Sequence, residues 1–265
     1  MNTTSPTNIL SFGCSHSLGY YNMDNTASNE KTWPELLFRN SKNVNFHVHF
    51  ALPGHGIVDY CFLLMKLEEN NTLNNVHKIV IQHTSEPRCV FYKQSKFMEK
   101  FFHYRVMPYF DTTMVRGTLK VLNIKDFNLE SFNVRPINLT SRSSFAESVG
   151  EGAFDGDNAV DTQTRLELVD QFDRMSGHFM SSTTVLNIIQ LSYEKIQQII
   201  AKHNIELYEF RWPGMASPFN NVPIIGSDVE DYDNITNGNG HVIEEHIDKL
   251  NTEILELVTD NGFFK

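Results

Sequence analysis

No stretch of this chain reaches the roughly 18 consecutive apolar residues that a membrane-spanning helix needs. Met1 to Gly13 contain no Lys or Arg ahead of an apolar core, so a secretory leader is not expected. Cysteine is scarce: Cys14, Cys61 and Cys89 stand at spacings that match no zinc or disulfide framework, which points to free thiols in a reducing compartment. Positive charge is also short. With 22 Lys and Arg against 32 Asp and Glu the formal charge is −10, which excludes a general attraction to nucleic acid or anionic lipid. Alanine is rare too (7, against 26 Asn), a skew toward AT-rich codons that describes a genome rather than a chemistry. What remains, 265 residues at 40% hydrophobic and 20% charged, fits one large globular domain or one with an inserted cap.

The periodicities alternate between strand and helix. Asn8 to Phe12 form a short apolar run that ends at Gly13, as a buried strand entering a turn does. Lys31 to Asn40 place Trp33, Leu36 and Leu37 at helical spacing, with Pro34 in the first turn. Phe46, Val48 and Phe50 alternate with His47 and His49, which predicts a strand with one apolar face. After Pro53 to Gly56, the residues Ile57, Tyr60, Cys61 and Leu64 mark an amphipathic helix. Lys78 to His83 read as a strand buried on both faces. The pattern then degrades over residues 89–180, where an insertion that builds its own cap is expected. A helix over about Ser182 to His203, a strand over Ile205 to Phe210 and a helix over about His241 to Val258 follow. This grammar predicts a three-layer α/β sandwich with a mostly parallel sheet, its ligands beyond the carboxyl ends of the strands.

Three loops leave those ends: Gly13 to Ser17, Ala51 to Gly56, and Thr84 to Arg88. Ser15 stands where a strand enters a turn, which exposes a hydroxyl beside a backbone N–H and suits attack on an acyl group. Gly54 lets a second N–H approach unhindered, and Thr84 or Ser85 offers a further donor. A Gly-rich phosphate cradle is absent from the first loop, which argues against a nucleotide binder.

In Phe12-Gly13-Cys14-Ser15, Leu18-Gly19-Tyr20, Thr32-Trp33-Pro34, Ala51 to Gly54, Thr84-Ser85 with Arg88, and Gly240-His241, the chain resembles the SGNH, or GDSL-type, hydrolases. The resemblance is to a divergent branch with Gly-Cys-Ser in place of Gly-Asp-Ser. It implies a flavodoxin-like sandwich, hydrolysis of acyl esters on carbohydrates or lipids without a cofactor, and an oxyanion hole that includes the Ser15 and Gly54 N–H groups. The family's usual third-block Asn is missing, and Thr84 or Ser85 stands in its neighbourhood. In one register His241 is the base and Asp233 orients it. In another, Ile235 falls in the histidine slot, and the chain is a catalytically degenerate domain that binds a glycan or protein, for instance within a phage particle. The branch and the codon bias together point to a phage source, cytoplasmic or virion-associated.

Other residues carry competing readings. His16 and His55 lie on the loops as candidate substrate contacts, and Arg88 is placed to receive an anionic group or to pair with Glu86. Cys14 reads as a buried structural thiol rather than a nucleophile. His47 and His49 share a strand face; a metal site lacks a third ligand at suitable spacing, which favours a solvated or hydrogen-bonded face. The aromatics from Phe97 to Phe110 suit a sugar-stacking wall or an insertion core.

Overall fold

A computed structural model describes residues 7–18, 32–42, 44–51, 55–84, 90–94, 119–122, 134–138, 183–211, 219, 221–225 and 244–264, with 167 and 170 as isolated positions. Along the chain run β1 (Thr7–Gly13), a 3-10 turn (Ser15–Leu18), α1 (Trp33–Asn40), β2 (Val44–Ala51), α2 (Ile57–Glu69), a second 3-10 turn (Thr72–Asn75) and β3 (Lys78–His83). Then come β4 (Val90–Gln94), β5 (Leu119–Leu122), β6 (Val134–Asn138), α3 (Thr183–His203), β7 (Glu206–Arg211) and α4 (Glu244–Asp260).

The main sheet has the order β5-β2-β1-β3-β7. Its strands β2, β1, β3 and β7 are parallel, and β5 pairs antiparallel with β2. The parallel core has the doubly wound, flavodoxin-like order, so this is an α/β sandwich as expected. From β1 the chain steps to β2 on one side and then returns over β1 to β3 on the other. Right-handed crossovers therefore put α1 and α2 on opposite faces. Helix α2 packs along α3, and α1 touches α4.

Side-chain alternation sorts the core. Leu10, Phe12, Phe46, Val48, Phe50, Ile79 and Ile81 face α2 and α3, where Ile57, Leu64, Ile189 and Ile196 meet them. Ile9, Val80, Tyr208 and Phe210 face the other way, onto Trp33 and Leu37 of α1 and Ile247, Leu250 and Ile254 of α4. Helix ends follow local chemistry. The Asp59 carboxylate accepts the Gly56 N–H at 2.8 Å and sits at the positive end of α2. Asn204 takes a left-handed conformation (φ 53°) after α3, and Ile205 N–H reaches back to Ile200 O at 3.1 Å, so the helix turns directly into β7.

Of segment 89–180 the described strands are β4, β5 and β6: β5 joins the main sheet as an edge strand, and β4 and β6 pair as an antiparallel ribbon. Four residues, Leu119 to Leu122, are too few to show a period. At β2 the hydrogen-bonded alternative holds over the solvated one: His47 and His49 are fully buried, with α1 over that face and the Ser11 hydroxyl bonded to His47 Nε2 and His49 Nδ1. No helix among the described residues is long and apolar enough to cross a membrane.

Neighbours on α2 test this packing. Leu64 is fully buried and Met65 is 39% exposed. Leu64→Ala is expected to lower the unfolding free energy by about 2–5 kcal/mol, and Met65→Ala by no more than about 0.5 kcal/mol, both measured by urea denaturation.

Candidate active site

Beyond β1 the chain has to turn sharply, and a single serine shapes the turn. Ser17 N–H and the Ser17 hydroxyl both donate to the Cys14 carbonyl, at 3.1 and 2.7 Å. A carbonyl only accepts, so the hydroxyl proton is committed there and Ser17 Oγ receives His49 Nε2–H at 2.8 Å. His49 Nδ1 lies 2.8 Å from Ser11 Oγ, and in the neutral ring it accepts the Ser11 hydroxyl proton. Ser11 Oγ in turn accepts from His47 Nε2 at 2.6 Å. A buried row of rings and hydroxyls thus runs beneath the 3-10 turn.

Gly13 makes room for this row. A Cβ built there would lie 2.1 Å from Ser17 Oγ and 3.1 Å from His49 Cε1. The requirement is spatial rather than conformational, since Gly262 is the sole glycine with positive φ among the described residues.

Ser15 is described in its backbone, as the first residue of the 3-10 turn. The buried thiol of Cys14 accepts Gln82 Nε2–H at 3.3 Å, and His16 Nδ1 lies 3.5 Å from it. Gln82 Oε1 also accepts Trp33 Nε1–H at 2.8 Å, so the ends of β1 and β3 are tied together and to α1. Thr84 donates its hydroxyl proton to the His55 carbonyl at 3.0 Å, which ties the end of β3 to the loop after β2. His16 and His55 are buried, at 2% and 0% exposure. Burial pushes the His55 pKa down from 6.5 to about 3, so this ring is neutral at ordinary pH. The three loops therefore converge through their described residues. Gly54, Ser85, Arg88, Asp233, Ile235 and His241 lie outside the described residues.

One cluster escaped the sequence. On the α2/α3 face His83 Nε2 donates to Glu209 Oε1 at 2.8 Å, and Tyr193 OH donates to Glu209 Oε2 at 2.8 Å. Burial and the Glu209 charge raise the Tyr193 pKa. The His83 ring packs against Tyr193 and Phe219, and its Nδ1 is buried with no hydrogen-bond partner among the described residues. The available signal was Glu209, a carboxylate within a strand whose neighbours are apolar, on the strand that pairs with β3. No group of three His, Cys, Asp or Glu side chains among the described residues could hold a metal ion.

No family model matches the chain, and no curated protein matches it. Among solved structures it is similar to an extracellular lipase from Streptomyces rimosus, at 11% identity and a TM-score of 0.29, over 94% of this chain and 98% of that one. Likeness at that level adds nothing to the geometry above.

Two measurements test the site's framework. Where space allows, Gly→Ala stabilises a fold by limiting the unfolded chain; Gly13→Ala is instead expected to destabilise by about 1–3 kcal/mol in chemical denaturation, because Ser17 must move. For His55, the unfolded chain takes up a proton near pH 6.5 and the folded chain only near pH 3, so stability falls as pH drops through that window. The loss is up to about 1.4 kcal/mol per pH unit. Denaturation between about pH 7 and about pH 4 should show a steeper loss for the wild type than for His55→Phe, and equal slopes would mean that the folded state protonates this ring.

Proposed function

We propose that the chain is a serine-dependent acyl ester hydrolase of the SGNH type. The observation that carries this reading is the place of Ser15: its turn leaves the carboxyl end of β1, where successive crossovers depart to β2 on one side and β3 on the other. Doubly wound sheets bind ligands at such a point. In this reading Ser15 Oγ attacks the ester carbonyl, His241 takes the hydroxyl proton and Asp233 orients the imidazole. The tetrahedral oxyanion is held by the Ser15 and Gly54 N–H groups. Thr84 already gives its proton to the His55 carbonyl, which supports a role in fixing the loop that carries Gly54 and leaves Ser85 as the third donor.

Collapse of the intermediate expels the alcohol with the proton held by His241, and water then releases the acyl group from Ser15 by the reverse sequence. His16 and His55 brace the loops from beneath, and Arg88 at the rim receives an anionic part of the substrate. The substrate class is an acyl ester on a small molecule or glycan, and the chemistry needs no cofactor.

A fluorophosphonate probe reports an activated serine without knowledge of the substrate. The wild type should label, and Ser15→Ala and His241→Ala should not. Turnover of a generic acetyl ester should fall by roughly 10⁴-fold or more in either variant. A folded wild type that does not label would overturn the reading in favour of the Ile235 register, a non-catalytic domain that binds a glycan or a protein partner in a viral assembly.

A further inference from the structure

The peptide group that joins Cys14 to Ser15 carries an acceptor at one end and a donor at the other. A peptide is planar and trans, so the Ser15 N–H points opposite to the Cys14 carbonyl. That carbonyl accepts twice from one residue, from the Ser17 N–H at 3.1 Å and from the Ser17 hydroxyl at 2.7 Å, so both of its lone pairs are taken. The peptide is thereby held with its oxygen toward Ser17, and the Ser15 N–H is turned away from the buried row. The backbone bond alone closes a 3-10 turn, but such turns are short and their hydrogen bonds poorly aligned. The hydroxyl bond fixes the tilt. Ser17 Oγ also receives His49 Nε2–H at 2.8 Å, and both residues are fully buried. His49 is held from two further sides, with Ser11 Oγ 2.8 Å from Nδ1 and the Trp33 ring set edge-on at 5.3 Å between centroids. Restraint thus passes from β1 and β2, through buried side chains, to the orientation of one peptide group.

We infer that Ser17, braced by His49, is a positioning residue for the ester hydrolysis proposed above: it holds the Cys14–Ser15 peptide so that the Ser15 N–H stays aimed at the developing oxyanion. The inference rests on the reading of Ser15 as nucleophile and adds to it two residues that act through that peptide rather than on the substrate. Closing the turn does not require the second bond, which buries a hydroxyl and an imidazole, groups that cores otherwise exclude. What the bond adds is direction. Donors that stabilise an oxyanion act best when already in place, because no reorganisation is then needed as the charge forms. A flip of this peptide would present the Cys14 carbonyl to that charge in place of the N–H, and would strip the buried Ser17 hydroxyl of its acceptor. The loop that carries Gly54 has a separate tie, from Thr84 to the His55 carbonyl, so loss of Ser17 disturbs one donor and leaves the other.

Steady-state kinetics of the full chain on 4-nitrophenyl acetate test the inference. Ser17→Ala should lower kcat by about 10- to 100-fold, less than the loss of a whole donor, and change KM by less than about threefold, because the weakened interaction is made in the transition state. Phenylboronic acid, whose tetrahedral adduct with a serine hydroxyl places an oxygen where the oxyanion forms, should lose affinity in the same proportion. Should Ser17→Ala not fold, two variants of His49 make the same test: His49→Phe removes the proton given to Ser17 and should lower kcat, whereas His49→Gln keeps an N–H donor and should retain most of it. Leu64→Ala, destabilised in the apolar core on α2, should keep the wild-type kcat in its folded state. Wild-type kcat in a folded Ser17→Ala, a change confined to KM, or equal losses in both His49 variants would overturn the inference while the role of Ser15 stands. A folded wild type that neither turns over the ester nor takes a fluorophosphonate label would overturn the reading of Ser15 itself, and this inference with it.

Discussion

The hydroxyl of Ser17 has one proton to give, and the Cys14 carbonyl takes it. One further direction follows from that commitment, His49 Nε2 donating to Ser17, and with a neutral His49 the Ser11 hydroxyl donates to His49 Nδ1 and accepts from His47. Each such bond is worth only about 1 kcal/mol net, yet a buried partner left unsatisfied costs about 1–3 kcal/mol. A buried row of this kind is therefore held together as a unit. It also explains why Gly13 stands where it does, since a methyl group there would displace Ser17 and release every bond downstream.

The two faces of the sheet divide the work. Facing α2 and α3, β1 and β2 present apolar side chains, with Phe12 stacked on Phe50 at 5.3 Å and the fully buried Tyr60 beside them. On the α1 face the same strands present Ser11, His47 and His49, covered by Trp33. The apolar face supplies burial without direction, and the polar face supplies direction. The turn that carries Ser15 stands over the polar face, where hydrogen-bond directions and not volumes alone set the geometry. Ties from Gln82 to Cys14 and from Thr84 to His55 extend that order to the other two loops.

Closure of the sheet is asymmetric. Beside β2, β5 closes the sheet as an antiparallel edge strand. Beside β7, the Arg211–Ile224 contact is the outer pairing found among the described residues.

The local periods were legible from residue order alone. Alternation at Phe46 to Phe50, the apolar run at Lys78 to His83 and the stripes of α2, α3 and α4 located the parallel strands and all the described helices to within a few residues, and the turn after the first strand singled out Ser15. These features are legible because a helix or a strand writes its period into neighbouring residues. Whether His47 and His49 faced water or hydrogen bonds was not written there, since the answer came from Ser11 and Ser17 across the sheet and turn. Nor was the pairing of His83 with Glu209, 126 positions later, or the return of four residues at Leu119–Leu122 to the far edge of the sheet. Partnership across a sheet is set by which strands the crossovers bring side by side. Sequence alone determined the elements, and only the tertiary structure decided which polar groups would meet.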